Sequence, residues 1–160
     1  MAGAVRVERE AARAIVFEPG GAVLLQEIQG DSGRSWILPG GGPAEGETQE
    51  VALARELAEE VGLMAAEIGP CVWRRTAEFR FRGVEYRQRE RFYVVRADRF
   101  EFDHSGLVPE EVGLVLGHRW WELEEIEAAT DTVFWPRGLA EHLRLLVHGP
   151  LPKGPVELTD

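Results

Sequence analysis

Three glutamates stand close together in a predicted helix, at Glu56, Glu59 and Glu60. The helix is predicted over residues 48–61, because this stretch is rich in Ala, Leu and Glu and contains no Gly or Pro. The i, i+3, i+4 spacing projects the three carboxylates from one face, with Cβ atoms about 5–6 Å apart. Like charges so placed destabilise an isolated helix by roughly 0.2–0.5 kcal/mol. Such a cluster either forms a solvated surface, as on most helices, or gathers around a bound cation.

The chain around these glutamates is strongly acidic. Between residues 44 and 62, six glutamates stand against a single basic residue, Arg55, which gives a local charge of −5. Carboxylate oxygens suit hard divalent cations, and Mg²⁺ in proteins commonly bridges a few carboxylates to substrate phosphates. Residues 40–42 are all glycine, so backbone groups can approach such a site without interference from Cβ atoms. These residue types favour a site for Mg²⁺ or Mn²⁺.

The spacing across residues 41–63 is specific. Gly41 is followed after five residues by Glu47, and after seven more by the run Arg-Glu-Leu-Ala-Glu-Glu-Val-Gly-Leu. At this chain's composition, the seven fixed positions would coincide in about one window in a million. The segment resembles the signature of the Nudix hydrolase family, with every fixed position of that motif present. Residues 36–41 and 117–125 are also similar to Nudix domains, so the resemblance spans residues 11–148.

The resemblance implies a fold and a reaction. Nudix domains are α/β/α sandwiches with a mixed β-sheet, and Nudix enzymes cleave the pyrophosphate of a nucleoside diphosphate linked to another group, using divalent metal and water. Carried onto this chain, the implied metal ligands are Glu56, Glu59, Glu60 and the backbone carbonyl of Gly40. Glu56 and Glu59 are the implied catalytic residues, and Glu59 is favoured as the base that deprotonates water.

The resemblance also implies supporting roles. The structural positions of the motif are Gly41, Glu47, Arg55 and Gly62. Among them, Arg55 and Glu47 are expected to form an ion pair that holds the loop against the helix. Some family members take their base from a later loop, where Glu110 and Glu111 are the candidates in this chain. Both glutamates fit a solvated loop before a strand equally well.

A second concentration of charge is basic. Residues 74–99 contain nine of the 18 basic residues and four acidic ones, a net charge of +5 in an otherwise acidic protein. Strand alternation places several arginines on common faces, and arginine binds phosphate in bidentate fashion. Arg80, Arg87 and Arg89 are therefore candidate substrate-binding residues. Cross-strand pairing with the interleaved glutamates is the alternative.

The motif is embedded in an α/β pattern. Short apolar runs between Gly and Pro turns predict strands at residues 12–17, 22–28, 36–38, 71–82, 85–96 and 114–121, including hairpins at 12–28 and 71–96. Helices are predicted at 48–61, 122–129 and 136–147, with Thr48 as an N-cap and Pro136 at a first helical position. The fold class is thus an α/β sandwich with a mixed sheet. We expect a domain over residues 11–148, an N-terminal extension over 1–10 and a C-terminal tail over 149–160.

The composition of the chain argues against several classes of binding partner. The 160 residues carry a net charge of −10, which argues against a nucleic-acid polymer or an anionic membrane as partner. Cys71 is the single cysteine, so no intrachain disulfide can form, and no apolar run reaches the roughly 18 residues of a membrane span. A cytoplasmic enzyme with a nucleotide-type substrate is expected, and family analogy allows a homodimer.

The sequence alone does not identify the substrate. Some subclasses of the family carry a proline or a tyrosine near the position of Phe79, and this chain has neither there. The resemblance therefore leaves three possible substrates: a nucleoside triphosphate, a nucleotide sugar or an ADP-ribose-like compound. Two other functions are alternatives. A Nudix-like module could sense a nucleotide or metabolite without turnover, although such proteins usually have degenerate motifs. An acidic protein-interaction domain would show no dependence on metal.

Overall fold

The computed structural model describes residues 5–106 and 114–159 and contains one mixed sheet with flanking helices. In chain order the elements are β1 (Arg6–Phe17), β2 (Val23–Gly30), β3 (Gly33–Ile37), β4 (Gly40–Gly41), α1 (Gln49–Val61), β5 (Cys71–Phe81), β6 (Val84–Arg96), β7 (Val115–Trp121), α2 (Leu123–Ala128), α3 (Leu139–His148) and β8 (Val156–Leu158). The α/β class with a mixed sheet is confirmed.

The sheet has the strand order β3-β2-β1-β6-β5-β8, with β4 attached to β1 and β7 to β2. β1 runs parallel to β6 along its whole length, from Arg6 opposite Glu85 to Phe17 opposite Arg96. The predicted first hairpin is present but short, since β1 and β2 are in register only at Phe17 and Val23. The segment around β4 takes the edge of β1 instead, and this arrangement brings the glycine run of the motif into the sheet.

Sheet residues alternate between two apolar layers, because successive side chains of a strand point to opposite faces. On one face, Leu53 and Leu57 of α1 pack with Ala12, Ala14 and Val16 of β1. The other face carries α2 and α3. Their apolar residues pack with the odd-numbered residues of β1 and the even-numbered residues of β6: Ile126, Leu139, Leu143, Ile15, Phe17, Phe92 and Val94. The two faces thus receive different helices from the two halves of the chain.

The helix predicted over the motif forms with its expected ends. The Thr48 hydroxyl accepts a hydrogen bond from the Val51 N–H at 3.2 Å, which satisfies one of the free donors of the first turn. Gly62 ends the helix in the left-handed region at φ +78°, and its N–H donates to the Ala58 carbonyl at 3.1 Å. Both ends of the segment that carries the glutamates are therefore fixed.

Several element boundaries differ from those predicted. α3 begins at Leu139 rather than at residue 136, because Gly138 is left-handed at φ +71° and cannot continue a helix toward Pro136. The β5–β6 turn is formed by Arg82 and Gly83, both at positive φ, as the right-handed twist of a two-residue hairpin requires. Strand β1 begins at Arg6, inside the predicted extension, and β8 lies inside the predicted tail, where it pairs with β5. No helix within the described ranges is long and apolar enough to cross a membrane.

Candidate functional site

Two of the three motif glutamates are buried on the flank of α1. Glu60 is 1% exposed and Glu56 is 9% exposed, whereas Glu59 is partly exposed. Burial raises the pKa of Glu56 above its usual value, and the neighbouring Glu60 and Arg55 side chains partly offset that rise. A divalent cation bound beside the two carboxyl groups would favour their ionised forms.

Arg55 connects the motif loop to these carboxylates. Its Nε and Nη2 donate to the two oxygens of Glu47, both at 2.9 Å, in a bidentate pair. Its Nη1 donates to Glu56 Oε1 at 3.1 Å and to Glu59 Oε2 at 3.2 Å. The Arg55 bond and the Ala44 N–H hold the pKa of Glu47 at about 2. One guanidinium therefore fixes the loop and orients two of the candidate ligands.

The glycines of β4 are required by close packing. A Cβ atom on Gly41 would lie 2.7 Å from Oε1 of Glu56, so only glycine leaves that carboxyl in place. Gly40 has φ +150°, and a Cβ there would lie 2.0 Å from the Ala12 carbonyl oxygen. Gly40 is also in register with Arg13 across the β1–β4 pair. The backbone of β4 is thus wedged between β1 and the buried glutamates.

The donor set fits a hard divalent cation in chemistry. Two buried carboxyls meet beside glycine backbone, and oxygen donors of this kind suit Mg²⁺ or Mn²⁺. Within residues 5–106 and 114–159, however, no group of three His, Cys, Asp or Glu side chains is arranged to hold a metal ion. Glu56 and Glu59 both accept hydrogen bonds from Arg55 Nη1. The Glu56–Glu60 pair is the part of the predicted ligand set that the fold assembles directly.

The candidate loop bases Glu110 and Glu111 lie outside the described residues. The chain leading toward them passes the C-terminal end of α1. The Asp103 N–H donates to the Val61 carbonyl at 2.9 Å, and a Cβ on Gly106 would lie 2.9 Å from the Glu59 carbonyl oxygen. That backbone contact is close to the glutamates.

A large cavity lies on the sheet face opposite α1. Its volume is about 1350 Å³, and its lining includes Ile126, Trp135 and Leu139. Four polar side chains of its floor are connected: Arg13, Arg75, Gln88 and Glu90. Glu90 accepts from Arg75 at 2.6 Å, from Arg13 at 3.1 Å and from Gln88 at 3.0 Å. Sequence reasoning missed this cluster, although alternation with Phe92 and Val94 places Gln88 and Glu90 on an inward face.

The register of the β5–β6 hairpin places the three candidate arginines on one face of it. Arg80, near the turn, also borders the cavity and pairs with Glu85 at 3.2 Å. Arg87 and Arg89 are exposed and alternate with the cavity-facing Gln88, so they lie on the other face of β6. Arg87 there lies 3.9 Å from Glu8. Their substrate contacts stay a prediction.

Comparisons with known proteins agree with one another. The family profile described as NUDIX domain matches residues 7–143. The chain is 64% identical over 33 residues to a "Putative 8-oxo-dGTP diphosphatase 2" of Mycobacterium tuberculosis, a match that covers 21% of this chain and about a quarter (23%) of that relative. A MutT protein structure from Methanosarcina mazei Go1 is 16% identical with a TM-score of 0.62, covering 89% of this chain and 94% of that one. An ADP-ribose pyrophosphatase from Streptococcus suis is 19% identical with a TM-score of 0.58, covering 95% and 98%.

Proposed function

The chain belongs to the NUDIX family, and we propose that it hydrolyses the diphosphate linkage of a nucleotide-type substrate with the help of Mg²⁺ or Mn²⁺. The observation that carries the proposal is the buried Glu56–Glu60 pair, oriented by Arg55 and packed against Gly41. The names of the related proteins support diphosphatase chemistry. A nucleoside triphosphate, a nucleotide sugar and an ADP-ribose-like compound are the substrate classes proposed.

Each motif residue has a proposed task. Glu56, Glu60 and the Gly40 carbonyl hold the cation, which when bound polarises the phosphoryl oxygens and makes water more acidic. Glu59 completes the ligand set and takes the proton of the attacking water. Arg55, 3.2 Å from Glu59, orients that carboxylate. Glu110 and Glu111 are the second proposed location of the base.

The nucleoside is proposed to occupy the cavity. Arg13 supports this arrangement because its backbone pairs with Gly40 while its side chain lines the cavity. Trp135, also in the lining, offers an indole face on which a base can stack. A substrate so placed would have its diphosphate near β4 and its base on the far side of β1.

Other properties stay predictions from the sequence. They are a cytoplasmic location, the absence of nucleic-acid polymers and membranes among the partners, and a homodimer. The net charge of −10 supports the second of these.

The test is a panel of nucleoside triphosphates, nucleotide sugars and ADP-ribose, assayed with Mg²⁺ or Mn²⁺ for wild type and Glu60→Gln. We expect Glu60→Gln to lower kcat/KM by about 100-fold or more. Glu50→Gln is the matched control, because Glu50 lies on the same helix but is exposed. Activity that survives Glu60→Gln unchanged would refute the site.

Calorimetry with Mn²⁺ separates the two alternative functions. Tight nucleotide binding with no product after long incubation favours a sensing module. No heat of Mn²⁺ binding and no metal dependence in any assay favours an acidic interaction domain.

A further inference from the structure

The hydrogen-bond acceptors on the cavity floor are already engaged by the protein. Glu90 Oε1 accepts from Arg75, and Glu90 Oε2 accepts from both Arg13 and Gln88. The Gln88 Oε1 atom in turn accepts from Arg9 Nε at 2.6 Å. Glu90 and Gln88 are 5% and 3% exposed, so water contributes little here. A ligand that brings a donor to this floor finds the acceptor atoms of these two side chains already bonded.

Donors remain available on the same floor. A guanidinium carries five N–H groups and no acceptor. Arg13 uses its Nε for Glu90 and one Nη1 hydrogen for the Leu38 carbonyl at 3.4 Å, which leaves three N–H groups. The Gln88 amide uses one of its two N–H groups for Glu90. The floor therefore presents donors to whatever enters the cavity.

An aromatic surface adjoins these donors. The Trp135 ring centroid lies 5.6 Å from the Arg75 guanidinium and 5.4 Å from that of Arg137. Arg75 is bonded to Glu90, so the indole and the Arg13 donors belong to one continuous set of contacts. A base stacked on Trp135 would lie in the same cavity as these donors.

We propose that this cavity selects nucleotides whose base presents oxygen acceptors, namely 6-oxopurines and 4-oxopyrimidines, over their amino counterparts; this rests on the proposed function. A guanidinium binds N7 and O6 of a 6-oxopurine in bidentate fashion. In adenine or cytosine, an exocyclic amino group stands where the oxygen would be, and its N–H groups would be buried against donors. An unsatisfied buried polar group of this kind lowers kcat/KM by about 10- to 100-fold.

An acceptor could also belong to the distal part of the substrate. An anionic group, such as the carboxylate of a nucleotide sugar acid, offers the same oxygens. Matched substrates separate the two sources: ITP against ATP and UTP against CTP vary the base, and UDP-glucuronate against UDP-glucose varies the distal group.

The experiment compares kcat/KM for these three pairs in wild type, Arg13→Gln and Arg74→Gln. We expect wild type to prefer ITP and UTP by about tenfold or more. In Arg13→Gln the preference should shrink toward unity, because an amide both donates and accepts. Arg74→Gln is the matched control, since Arg74 is exposed, pairs with Glu157 at 3.2 Å and is not part of the cavity lining; it should keep the wild-type ratio.

Each outcome has one meaning. Equal rates within the ITP/ATP and UTP/CTP pairs overturn the inference and leave the proposed function intact, whereas no turnover of any substrate overturns the proposed function. A preference confined to UDP-glucuronate assigns the floor to a distal anion and overturns selection by base. If Arg13→Gln does not fold by circular dichroism, the wild-type ratios and competitive inhibition by IMP against AMP decide the matter alone.

Discussion

The two faces of the sheet carry candidate groups that are assembled in different ways. On the α1 face, the candidate chemical groups come from a single stretch, residues 41–63, and helix geometry alone brings Glu56 and Glu60 together. On the cavity face, the floor is assembled from β1, β5 and β6 by strand register, with Trp135 added from a later loop. Under the proposed function, local sequence encodes the reaction, and long-range strand pairing encodes which substrate is bound. Changes on the first face should lower kcat for every substrate, and changes on the second should alter KM and selectivity.

The largest effect is expected from Gly41→Ala. The new Cβ would lie 2.6 Å from the carboxyl carbon of Glu56, so the flexible side chain must swing away while the fold persists. We expect kcat to fall by about 100-fold or more for all substrates, with their ratios unchanged. Steady-state kinetics on the panel and a thermal unfolding curve measure the two parts. A change in base preference would show that the two faces are not separable.

Gly40→Ala provides the contrast. Its Cβ would meet the Ala12 carbonyl at 2.0 Å, in backbone at φ +150°, so neither neighbour can rotate away. We expect a loss of about 3–5 kcal/mol in the free energy of unfolding, measured by urea titration. A Gly40→Ala protein of wild-type stability would contradict the close packing of the β4 backbone against β1.

Trp135→Leu probes the second face. Base stacking on an aromatic ring is worth about 1–3 kcal/mol, so we expect KM to rise by about 5- to 100-fold while kcat changes little. Trp36→Leu is the control of the same type, because Trp36 packs edge-on against Trp121 at 5.2 Å and is not part of the cavity lining. A fall in kcat without a change in KM would place Trp135 in the chemistry instead.

The same contrast explains what the sequence predicts and what it does not. The α1 boundaries and caps follow from composition, Thr48 and Gly62, all of them local signals. The Arg13–Glu90–Arg75 cluster depends on β1 lying parallel to β6, with Ala12 opposite Arg91, and no local signal specifies that neighbour. The start of α3 was wrong because a left-handed Gly138 outweighs the preference of Pro136 for a first turn.

The ion pair at the motif loop makes stability depend on pH. Arg55 lowers the pKa of Glu47 to about 2, below its usual value near 4.5. The ionised form is thus favoured in the folded state, and its contribution is present above about pH 4.5 and is lost as the pH falls toward 2. We expect Glu47→Gln to be less stable than wild type at pH 7, with the difference shrinking by pH 3, as measured by urea unfolding. Glu45→Gln, an exposed change in the same loop, should show no such trend. A difference between wild type and Glu47→Gln that is constant with pH would rule out this role.

The smallest effect is expected from Arg87→Gln. Arg87 lies 3.9 Å from Glu8 and 4.0 Å from Glu78 on an exposed surface, where ion pairs contribute about 1 kcal/mol or less. Since the cavity lining does not include Arg87, we expect kcat/KM to change by less than about threefold and base selectivity to stay constant. The double variant Arg87→Gln/Arg89→Gln extends the test to the neighbouring arginine on the same face. A tenfold loss in the double variant that is relieved at low salt would instead indicate that this face attracts phosphate, as the arginine pattern predicts, and would join the two faces in one substrate path.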